Sequence, residues 1–367
     1  MKFTSTQQNL TWGLSISEKI LSRNFSLPII QDVLISAEKN KGFIKISSTD
    51  LEIGVEVVIP AKIDEEGAVA APAKLLSEFI RNLPNENVEF LEKNKKISIL
   101  CKDYKANIKG DDPKEFPVIP TKQNTQEFLE VKIKDFLKGI TCVINSVSML
   151  DVKPEISGVF VCFKKKNIYF VATDSFRLSE KIINTEKTYE NKAIIPKKTS
   201  DAIIRTFQNI EGALSIQVNN NQIIIKTDKI TFVSRVIEGD YPSYEQIIPS
   251  KFTTEITILK DELVQHIKTA GLFSNKVSEV TLGANPKKQN IEILSQNQER
   301  GDHYSSIPCE VQGIGVKAIF NYHYILEGIQ GISSENIKIK LNEPTTPVLI
   351  MSEEDGGFRY VVMPIKN

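Results

Sequence analysis

Short apolar strands that lead directly into amphipathic helices recur along this chain. Three such segments, 3–23, 131–146 and 256–275, place apolar residues three or four positions apart, which brings them to one face of a helix. Between the helices, apolar and polar residues alternate in short runs, and a period of two indicates half-buried strands. The pattern predicts an α+β fold of helices and antiparallel sheets. The clearest strand runs are Phe43–Ile46, Val159–Phe163 and Ile291–Leu294.

A longer unit, which contains a second helix, also returns three times. Each copy opens with an apolar strand and a breaker residue (Pro72, Pro196 or Asn321), continues into a helix of about ten residues, and ends in a Pro-containing segment. The helix starts recur about every 124 residues, which is far longer than a solenoid repeat and indicates a triplicated domain. The alternative, three unrelated segments, does not account for the shared order and period. The copies span Val69–Pro120, Ala193–Pro249 and Ala318–Asn367.

The repeats divide the chain into three predicted domains, 1–122, 123–251 and 252–367, each with two helices and about eight strands. A length of 367 residues agrees with this division, because single domains commonly hold about 100–200 residues. The polar stretch 121–126 is the first predicted linker and Pro249–Lys251 the second. Repeated units joined head to tail give a ring when their rotation closes, and a closed ring leaves no sheet edge open to aggregation.

The charge balance limits how the chain could bind nucleic acid. Lys and Arg together number 46, as do Asp and Glu, so the formal net charge is zero, whereas dedicated nucleic-acid binders are usually basic. DNA contact would therefore depend on cations gathered on one surface. We expect cations on the predicted helices to face DNA; the alternative is an ordinary solvated helix face. They are Lys19, Arg23, Lys74, Arg81, Lys134, Lys138, Lys197, Lys198, Arg205 and Lys268.

No motif in the sequence predicts catalysis, a metal site or a cofactor. The histidines His266, His303 and His323 lack metal-ligand spacing, and the sequence has neither a GxxxxGK phosphate loop nor a GxSxG nucleophile elbow. Asp50 and Asp174 could act as acid–base groups, but both lie at strand ends, where Asp usually caps a turn. A helix-turn-helix DNA binder is a third alternative, which the lack of that motif and of net positive charge disfavours.

Two further features predict a cytoplasmic protein without a membrane partner. The first residues are mostly polar, unlike a signal peptide, and no run of about 18 apolar residues could form a transmembrane helix. The four cysteines are far apart in the sequence and form no CxxC pair, so we expect reduced thiols. They are Cys101, Cys142, Cys162 and Cys309.

Six short segments, in order along the chain, carry a family resemblance: Met1–Thr4, Leu27–Ile29, Ser48–Glu52, Val171–Leu178, Tyr241–Tyr244 and Tyr360–Ile365. They resemble signature segments of the bacterial beta sliding clamps, the DNA polymerase III beta subunits. The resemblance implies a head-to-tail homodimeric ring that encircles duplex DNA, does not read its sequence, and confers processivity in DNA replication without catalysis. The implied partners are a second copy of the chain, the DNA polymerase III catalytic subunit, the clamp loader and other proteins with a clamp-binding motif.

The resemblance further implies two protein-binding sites. A pocket for short segments with a Gln and an apolar end would comprise Ile156, Thr173, Ser175, Phe176, Arg177, Leu178, Pro242, Ile247, Val361, Val362, Met363, Pro364 and Ile365. The alternative for residues 361–365 is a terminal core strand. Phe176 and Gln246 replace the His and Arg of a well-known member, so the partner preference could differ. The joint between two copies would use Leu75, Leu76, Phe79, Ile80, Leu272 and Phe273.

Overall fold

The computed structural model describes residues 1–21, 27–121, 128–150, 153–219 and 221–366, and six helices occur within them. Each helix begins at the residue that follows a strand, as the sequence pattern predicts. Two helices fall in each predicted third, in agreement with a triplicated unit. They are α1 (Gln7–Glu18), α2 (Ala73–Arg81), α3 (Ile133–Val143), α4 (Lys197–Phe207), α5 (Lys260–Gly271) and α6 (Tyr322–Gln330).

Local chemistry explains where these helices begin. Pro72 and Pro196 are the last residues of the strands before α2 and α4, and proline cannot donate to a further ladder hydrogen bond. Asn321 holds the same place before α6, and its side chain accepts a hydrogen bond from the N–H of His323 at 3.0 Å. Thr6 caps α1 in a similar way. The predicted breakers therefore mark the helix starts.

The strands are short, and many alternate between buried and open positions, as a period of two requires. The first third contains β1 (Lys2–Thr6), β2 (Asp32–Ala37), β3 (Phe43–Thr49), β4 (Ile53–Pro60), β5 (Lys62–Glu65), β6 (Gly67–Pro72), β7 (Asn87–Lys93), β8 (Lys96–Cys101) and β9 (Tyr104–Lys109). The second contains β10 (Leu129–Lys132), β11 (Gly158–Lys164), β12 (Asn167–Thr173), β13 (Arg177–Asn184), β14 (Asn191–Pro196), β15 (Ala213–Val218), β16 (Gln222–Lys226) and β17 (Ile230–Arg235). The last contains β18 (Thr254–Leu259), β19 (Glu279–Asn285), β20 (Asn290–Asn297), β21 (Gly301–Pro308), β22 (Glu310–Gly313), β23 (Val316–Asn321), β24 (Asn336–Leu341), β25 (Val348–Met351) and β26 (Phe358–Val362).

By its internal contacts the chain forms two units, and the first comprises residues 1–133 and 201–236. Its five-stranded sheet has the order β5-β1-β7-β8-β9, with Phe3 stacked on Phe90 at 4.7 Å between ring centroids. Its eight-stranded sheet has the order β10-β15-β16-β17-β4-β3-β2-β6. The antiparallel pairing of β17 with β4 joins the second predicted domain to the first in one sheet. Helices α1 and α2 contact each other, and α1 also covers β3 and β4.

The second unit comprises residues 134–200 and 237–367. Its nine-stranded sheet has the order β14-β11-β12-β13-β26-β25-β24-β18-β22, and its four-stranded sheet the order β21-β20-β19-β23. The antiparallel pairing of β13 with β26 joins the second predicted domain to the third. Sheets therefore continue across both predicted domain boundaries, which local periodicity alone does not reveal.

One turn recurs at corresponding places in the three thirds. In the first third, Oδ1 of Asp50 accepts the backbone N–H groups two and three residues ahead at 3.1 and 2.7 Å. Asp174 accepts the corresponding pair at 3.0 and 3.0 Å, and Asn297 does so at 2.9 and 3.2 Å. Asp50 and Asp174 thus cap turns, as their positions at strand ends predict.

Candidate functional site

The turn after β12 presents an aromatic side chain to solvent. The hydroxyl of Thr173 donates to the carbonyl of Arg177 at 2.6 Å and accepts the N–H of Ser175 at 3.2 Å. Ser175 has a φ of 76°, in the left-handed region that residues other than glycine seldom adopt. On this fixed backbone Phe176 remains 58% exposed. Exposed aromatic residues are enriched at protein–protein interfaces, so the turn is a candidate binding surface.

The next residue, Arg177, is held by its own turn and by two other parts of the unit. Its Nε donates to Oδ2 of Asp174 at 2.9 Å, and one terminal nitrogen donates to the carbonyl of Asn145 at 2.6 Å. The other terminal nitrogen donates to the carboxylate of Glu327 on α6. The guanidinium lies over the ring of Tyr324, 4.3 Å from its centroid, and the side chain is only 9% exposed. These contacts tie the turn to α6 and to the segment after α3.

The same contacts keep Arg177 charged. Burial lowers the pKa of its guanidinium, but interactions with Tyr360, Glu327 and Asp174 outweigh burial, and the net effect raises the pKa above its ordinary value. The positive charge is therefore opposed by carboxylates within the protein before any ligand binds. Arg177 lies beside Phe176 as a largely buried residue that fixes the turn.

A cavity of about 630 Å³ opens beside Phe176 and Arg177. Its rim is apolar, because Phe176, Met149 and Leu150 are all exposed. Its deeper part is polar, with Asp174 and Arg177 largely covered. The other lining residues are Asn145, Val147, Ser148, Lys197, Tyr324, Glu327 and Gln330. The cavity therefore offers apolar contact at its mouth and polar partners inside.

Sequence reasoning missed several residues of this cavity, among them Met149, Leu150 and Glu327. One signal was available, because Glu327 is the single charged residue of α6. A lone charge on an otherwise apolar helix commonly has a partner. That partner, Arg177, lies 150 residues earlier in the sequence.

Two of the other predicted pocket residues belong to a small apolar cluster. Leu178 and Val361 lie in this cluster together with Tyr244, and Ile156 is also buried. Thr173 is likewise buried, while Pro242 and Ile247 are exposed. The predicted pocket residues thus include both buried and exposed side chains.

The end of the chain is attached to the Phe176 turn. The N–H of Met363 donates to the carbonyl of Phe176 at 2.8 Å, and Pro364 is buried while Met363 and Ile365 are half-buried. The structure corrects the assignment of Val362, which is fully buried in the main core of the C-terminal third. Successive strand residues point to opposite faces, so Val361 and Val362 cannot line one groove. For Val362, the alternative given above, that this segment is a terminal core strand, is therefore correct.

A buried carboxylate lies among the residues behind this cluster. Glu180 accepts a hydrogen bond from the Tyr244 hydroxyl at 2.8 Å and another from Nε of Arg359 at 2.7 Å. Burial is the main cause that raises the pKa of the Tyr244 hydroxyl, and the nearby negative charge of Glu180 is the next largest. The phenol therefore remains a hydrogen-bond donor at physiological pH, and the three groups satisfy one another.

The predicted DNA-facing cations are mostly open to solvent. Lys19 and Lys197 are half-buried, and Arg23 lies outside the described residues. Burial and the nearby charge of Arg205 lower the pKa of Lys19, so two cations of unit 1 lie close together. Arg81 is partly neutralised by Glu18 at 3.1 Å. The predicted DNA-facing cations that are exposed are Lys74, Arg81, Lys134, Lys138, Lys198, Arg205 and Lys268.

The predicted joint residues divide into exposed and buried ones. Leu75 is 54% and Leu272 65% exposed, so both side chains are accessible. Phe273 is half-buried and stacks on His303 at 5.8 Å between ring centroids, and Phe79 is also half-buried. Leu76 and Ile80 are fully buried, because they form the inward face of α2. We therefore correct the predicted joint by removing Leu76 and Ile80.

The described part of the chain contains no group of three or more His, Cys, Asp or Glu side chains placed to hold a metal ion. No described helix has the length and apolar character needed to cross a membrane.

Three family models match the chain in sequence order. They are the N-terminal domain of the DNA polymerase III beta subunit at residues 1–120, the central domain at 130–243 and the C-terminal domain at 245–366. The matches account for almost the whole chain, and they confirm that it consists of three such domains.

Curated relatives and solved structures agree with these matches. A beta sliding clamp of Synechococcus elongatus is 24% identical over 375 residues, covering 100% of this chain and 99% of that protein. A beta sliding clamp of Staphylococcus epidermidis is 23% identical over 379 residues, covering 100% of this chain and 100% of that protein. The DNA polymerase sliding clamp of Bacillus subtilis has the same fold, with a TM-score of 0.94 at 24% identity over 100% of this chain and 99% of that one. The DNA polymerase III beta subunit of Thermotoga maritima has a TM-score of 0.92 at 23% identity, again over 100% of this chain and 99% of that one. This chain belongs to the DNA polymerase III beta subunit family, the bacterial beta sliding clamps.

Proposed function

We propose that two copies of this chain close into a ring that encircles duplex DNA and tethers the replicative polymerase during DNA replication. The observation that carries the proposal is the match of all three clamp domains, in order, across the chain. The protein acts as a non-catalytic processivity factor, and the site of action is the cytoplasm. The domain boundaries at 122/123 and 251/252 remain predictions.

We propose that β9 of one copy pairs with β21 of the other. Among the described residues, each is the last strand of its sheet, so each has one side without a strand neighbour. Exposed Lys105 and Lys109 on β9 would face exposed Asp302 on β21, which supplies complementary charge. Leu75 and Leu272 are exposed apolar side chains that pairing would cover. This joint would remove two sheet edges that otherwise favour aggregation.

The exposed helix cations are proposed to contact DNA phosphates. Phosphate contacts position a protein but carry no sequence information, so a ring that uses them can slide. Retention on DNA then comes from encirclement, and strong binding is unnecessary. A net charge of zero is compatible with this mode of action, because only the inner surface has to be basic.

The surface around Phe176 is proposed to dock short segments of partner proteins. These partners are the DNA polymerase III catalytic subunit, the clamp loader and other proteins with a clamp-binding motif. Its support is the exposed Phe176, the apolar cluster that contains Leu178 and Val361, and the half-buried Met363. Contacts of this size suit dissociation constants of about 1 μM, which correspond to a binding free energy of about 8 kcal/mol. Such weak binding allows partners to exchange.

Retention on DNA of different topology tests the proposed encirclement. The protein is loaded with its clamp loader onto a nicked circular plasmid, and half of the sample is then cut once by a restriction enzyme. We expect the protein to stay on the circle at moderate salt and to leave the linear form by sliding off its ends. Blocking both ends with a tightly bound protein should restore retention. Equal retention on circular and open-ended linear DNA would refute encirclement.

A further inference from the structure

We infer that Glu78 of the partner subunit forms an ion pair with Arg300 and completes a cavity at each joint of the ring. The inference rests on the proposed closure of two copies into a ring. It extends to the joint a contact that already exists within one chain, between Arg177 and Glu327. The joint thereby gains a polar contact that fixes how the two copies meet.

The strand pairings explain why the joint should resemble the junctions within the chain. Each third contains a capped turn, at Asp50, Asp174 or Asn297. The strand that follows each of the first two turns pairs with the last strand of the next third, β4 with β17 and β13 with β26. The third turn is followed by β21, whose proposed partner is β9, the last strand of the first third in the other copy. The three turns therefore hold equivalent places in the ring.

Arg300 holds in the last third the position that Arg177 holds in the second. The side chain three positions earlier accepts the backbone N–H of each arginine, at 3.2 Å for Arg300 and 3.0 Å for Arg177. A terminal nitrogen of Arg177 donates to the carbonyl of Asn145, and one of Arg300 donates to the carbonyl of Leu272 at 3.3 Å. Asn145 and Leu272 follow the first residues of α3 and α5 by the same number of positions. The inner contacts of the two arginines thus match.

The two arginines differ in what covers them from outside. Arg177 is only 9% exposed, because Glu327 and the ring of Tyr324, both on α6, lie against it. Arg300 is exposed and pairs with no carboxylate among the described residues. Arg300 therefore has the inner half of this arrangement and lacks the half that α6 supplies to Arg177.

Helix α2 carries side chains that match the missing half. It is the second helix of the first third, as α6 is of the last, and each is nine residues long. Glu78 is the sixth residue of α2 as Glu327 is of α6, and Leu75 is the third as Tyr324 is. Glu78 and Leu75 are both exposed, and residues three positions apart lie on one helix face. In the partner subunit, Leu75 would cover the guanidinium of Arg300 while Glu78 pairs with it.

A cavity of about 850 Å³ lies beside Arg300 and matches the cavity of about 630 Å³ beside Arg177. Each is lined by its capped turn, by the segment after the first helix of its third, and by the first residue of the second helix, Tyr322 or Lys197. The cavity beside Arg177 gains three more residues from α6, the second helix of the following third. No following third of the described chain supplies such a helix to the cavity beside Arg300. The partner subunit would supply it as α2.

The other charged residues of this cavity define the alternative pairings. Glu279 accepts a hydrogen bond from the amide of Asn275 and is therefore engaged. Glu299 precedes Arg300 directly and forms no ion pair with it in the described structure. Lys276 is exposed in the segment after α5 and is the one other cation of the described lining. It is the alternative partner for a carboxylate from the second copy.

Charge reversals placed in separate copies test the pair. Glu78→Arg alone, or Arg300→Glu alone, places like charges opposite each other at both joints of a dimer. An equimolar mixture of the two variants pairs opposite charges at both joints of the heterodimer, because the copies meet head to tail. Sedimentation velocity over a dilution series gives the dissociation constant. We expect each variant alone to raise this constant by about a hundredfold or more, from about tenfold at each joint, and the mixture to return to within about threefold of the wild type.

Matched controls reverse exposed charges away from the joint. Glu66 adjoins β5, at the edge of its sheet opposite β9, and Lys287 lies at the end of β20 opposite Arg300. Glu66→Arg and Lys287→Glu should keep the dissociation constant of the wild type. Melting temperatures report whether each variant folds. If a reversal disturbs the fold, Glu78→Gln and Arg300→Gln replace it: each should raise the constant about three- to tenfold, and the double variant no further than either single one.

The possible results separate the pair from the ring on which it rests. Folded single variants with an unchanged dissociation constant, or a mixture that does not dimerise, would overturn the pair while the ring stands. Rescue of Glu78→Arg by Lys276→Glu, and not by Arg300→Glu, would overturn it in favour of Lys276. A wild-type protein that is monomeric at micromolar concentration would refute the ring itself, and the inference falls with it.

Discussion

The hydroxyl of Tyr244 donates a 2.8 Å hydrogen bond to Oε2 of Glu180, a carboxylate that is only 1% exposed. The two residues are 64 positions apart, and they meet behind the apolar cluster of the proposed pocket. Arg359 of the neighbouring strand β26 pairs with the same carboxylate. A single buried charge thus links the segment that carries Pro242 to the strand that leads to Met363.

Replacing Glu180 should strongly destabilise the protein. Glu180→Ala leaves Arg359 and the Tyr244 hydroxyl without their acceptor, and a buried donor that loses its partner costs about 1–3 kcal/mol. Chemical denaturation should show this loss in the free energy of unfolding. The matched control is Glu190→Ala, which removes an exposed carboxylate and should change stability by about 0.5 kcal/mol or less. Equal effects of the two substitutions would contradict the assigned role of Glu180.

Removing two apolar side chains of the proposed joint should give monomers. The double variant Leu272→Ala with Phe273→Ala loses apolar contact worth about 3–6 kcal/mol, because each buried large side chain contributes about 1.5–3 kcal/mol. Light scattering should report a mass near 41.3 kDa in place of twice that value. Ile314→Ala changes an equally exposed residue of the same third and should leave the dimer intact. A double variant that remains dimeric would exclude this joint.

Shortening Phe176 should weaken partner binding without affecting the fold. Phe176 is largely exposed, so Phe176→Ala removes a contact surface and leaves the core unchanged. An aromatic anchor of this kind is commonly worth about 2 kcal/mol, or roughly thirtyfold in affinity for a Gln-containing peptide. Leu51→Ala is a matched control, because Leu51 is exposed in the corresponding turn of the first third. Unchanged affinity of Phe176→Ala would place the pocket elsewhere.

The variant Gly328→Ala should destabilise the packing of α6 on its sheet. A Cβ at Gly328 would overlap the ring of Tyr360, and the same arrangement places Gly139 of α3 against Phe170. Overpacking of a filled core costs about 1–3 kcal/mol, measured as a lower melting temperature. Alanine at Gly283, where a Cβ has ordinary contact distances, should be much milder. Similar melting temperatures for the two variants would show that α6 can move away from the sheet.

The contribution of Asp32 to the stability of the protein should decrease as pH rises through the acid range to neutrality. Burial, followed by the charge of nearby Asp111, raises the pKa of Asp32 to about 7 from its ordinary value of 3.8. The folded state therefore binds more protons than the unfolded state between these values, and this contribution to stability is lost as pH passes about 7. Asp32→Asn cannot ionise, so its melting temperature should exceed that of the wild type most clearly at pH 8.

The control for this pH dependence is Asp103→Asn, which changes an exposed carboxylate in the same third. Its melting temperature should follow that of the wild type at every pH. If Asp32→Asn also follows the wild type between pH 5 and pH 8, the buried Asp32 is not the source of the dependence.

The repeat and the helix starts could be predicted from sequence because they depend on local signals. Pro72, Pro196 and Asn321 act within one or two residues of where they stand, and apolar spacing defines each helix face. Pairing between distant strands has no such signal, so the joining of β17 to β4 was not predicted. The partnership of Arg177 with Glu327 was missed for the same reason.

The site predictions that needed correction share one physical cause. Leu76 and Ile80 are apolar helix residues like Leu75, and Val362 is apolar like Val361. Composition cannot tell which face of an element is covered by its own domain, and only the fold shows which side chains remain exposed. Leu75 and Leu272 could therefore be retained on the same evidence that excluded Leu76 and Ile80.

The two long sheets set the order in which the chain can finish folding during synthesis. Strand β4, near residue 60, cannot pair with β17 until the ribosome has made the chain to about residue 235. In the same way, β13 cannot pair with β26 until the end of the chain has been made. A ribosome-bound or truncated chain would therefore carry open strand edges, a state that invites aggregation and chaperone binding. The same sharing means that no third can be excised at its boundary without cutting a sheet, so fragments of this protein should be designed around sheets and not around repeats.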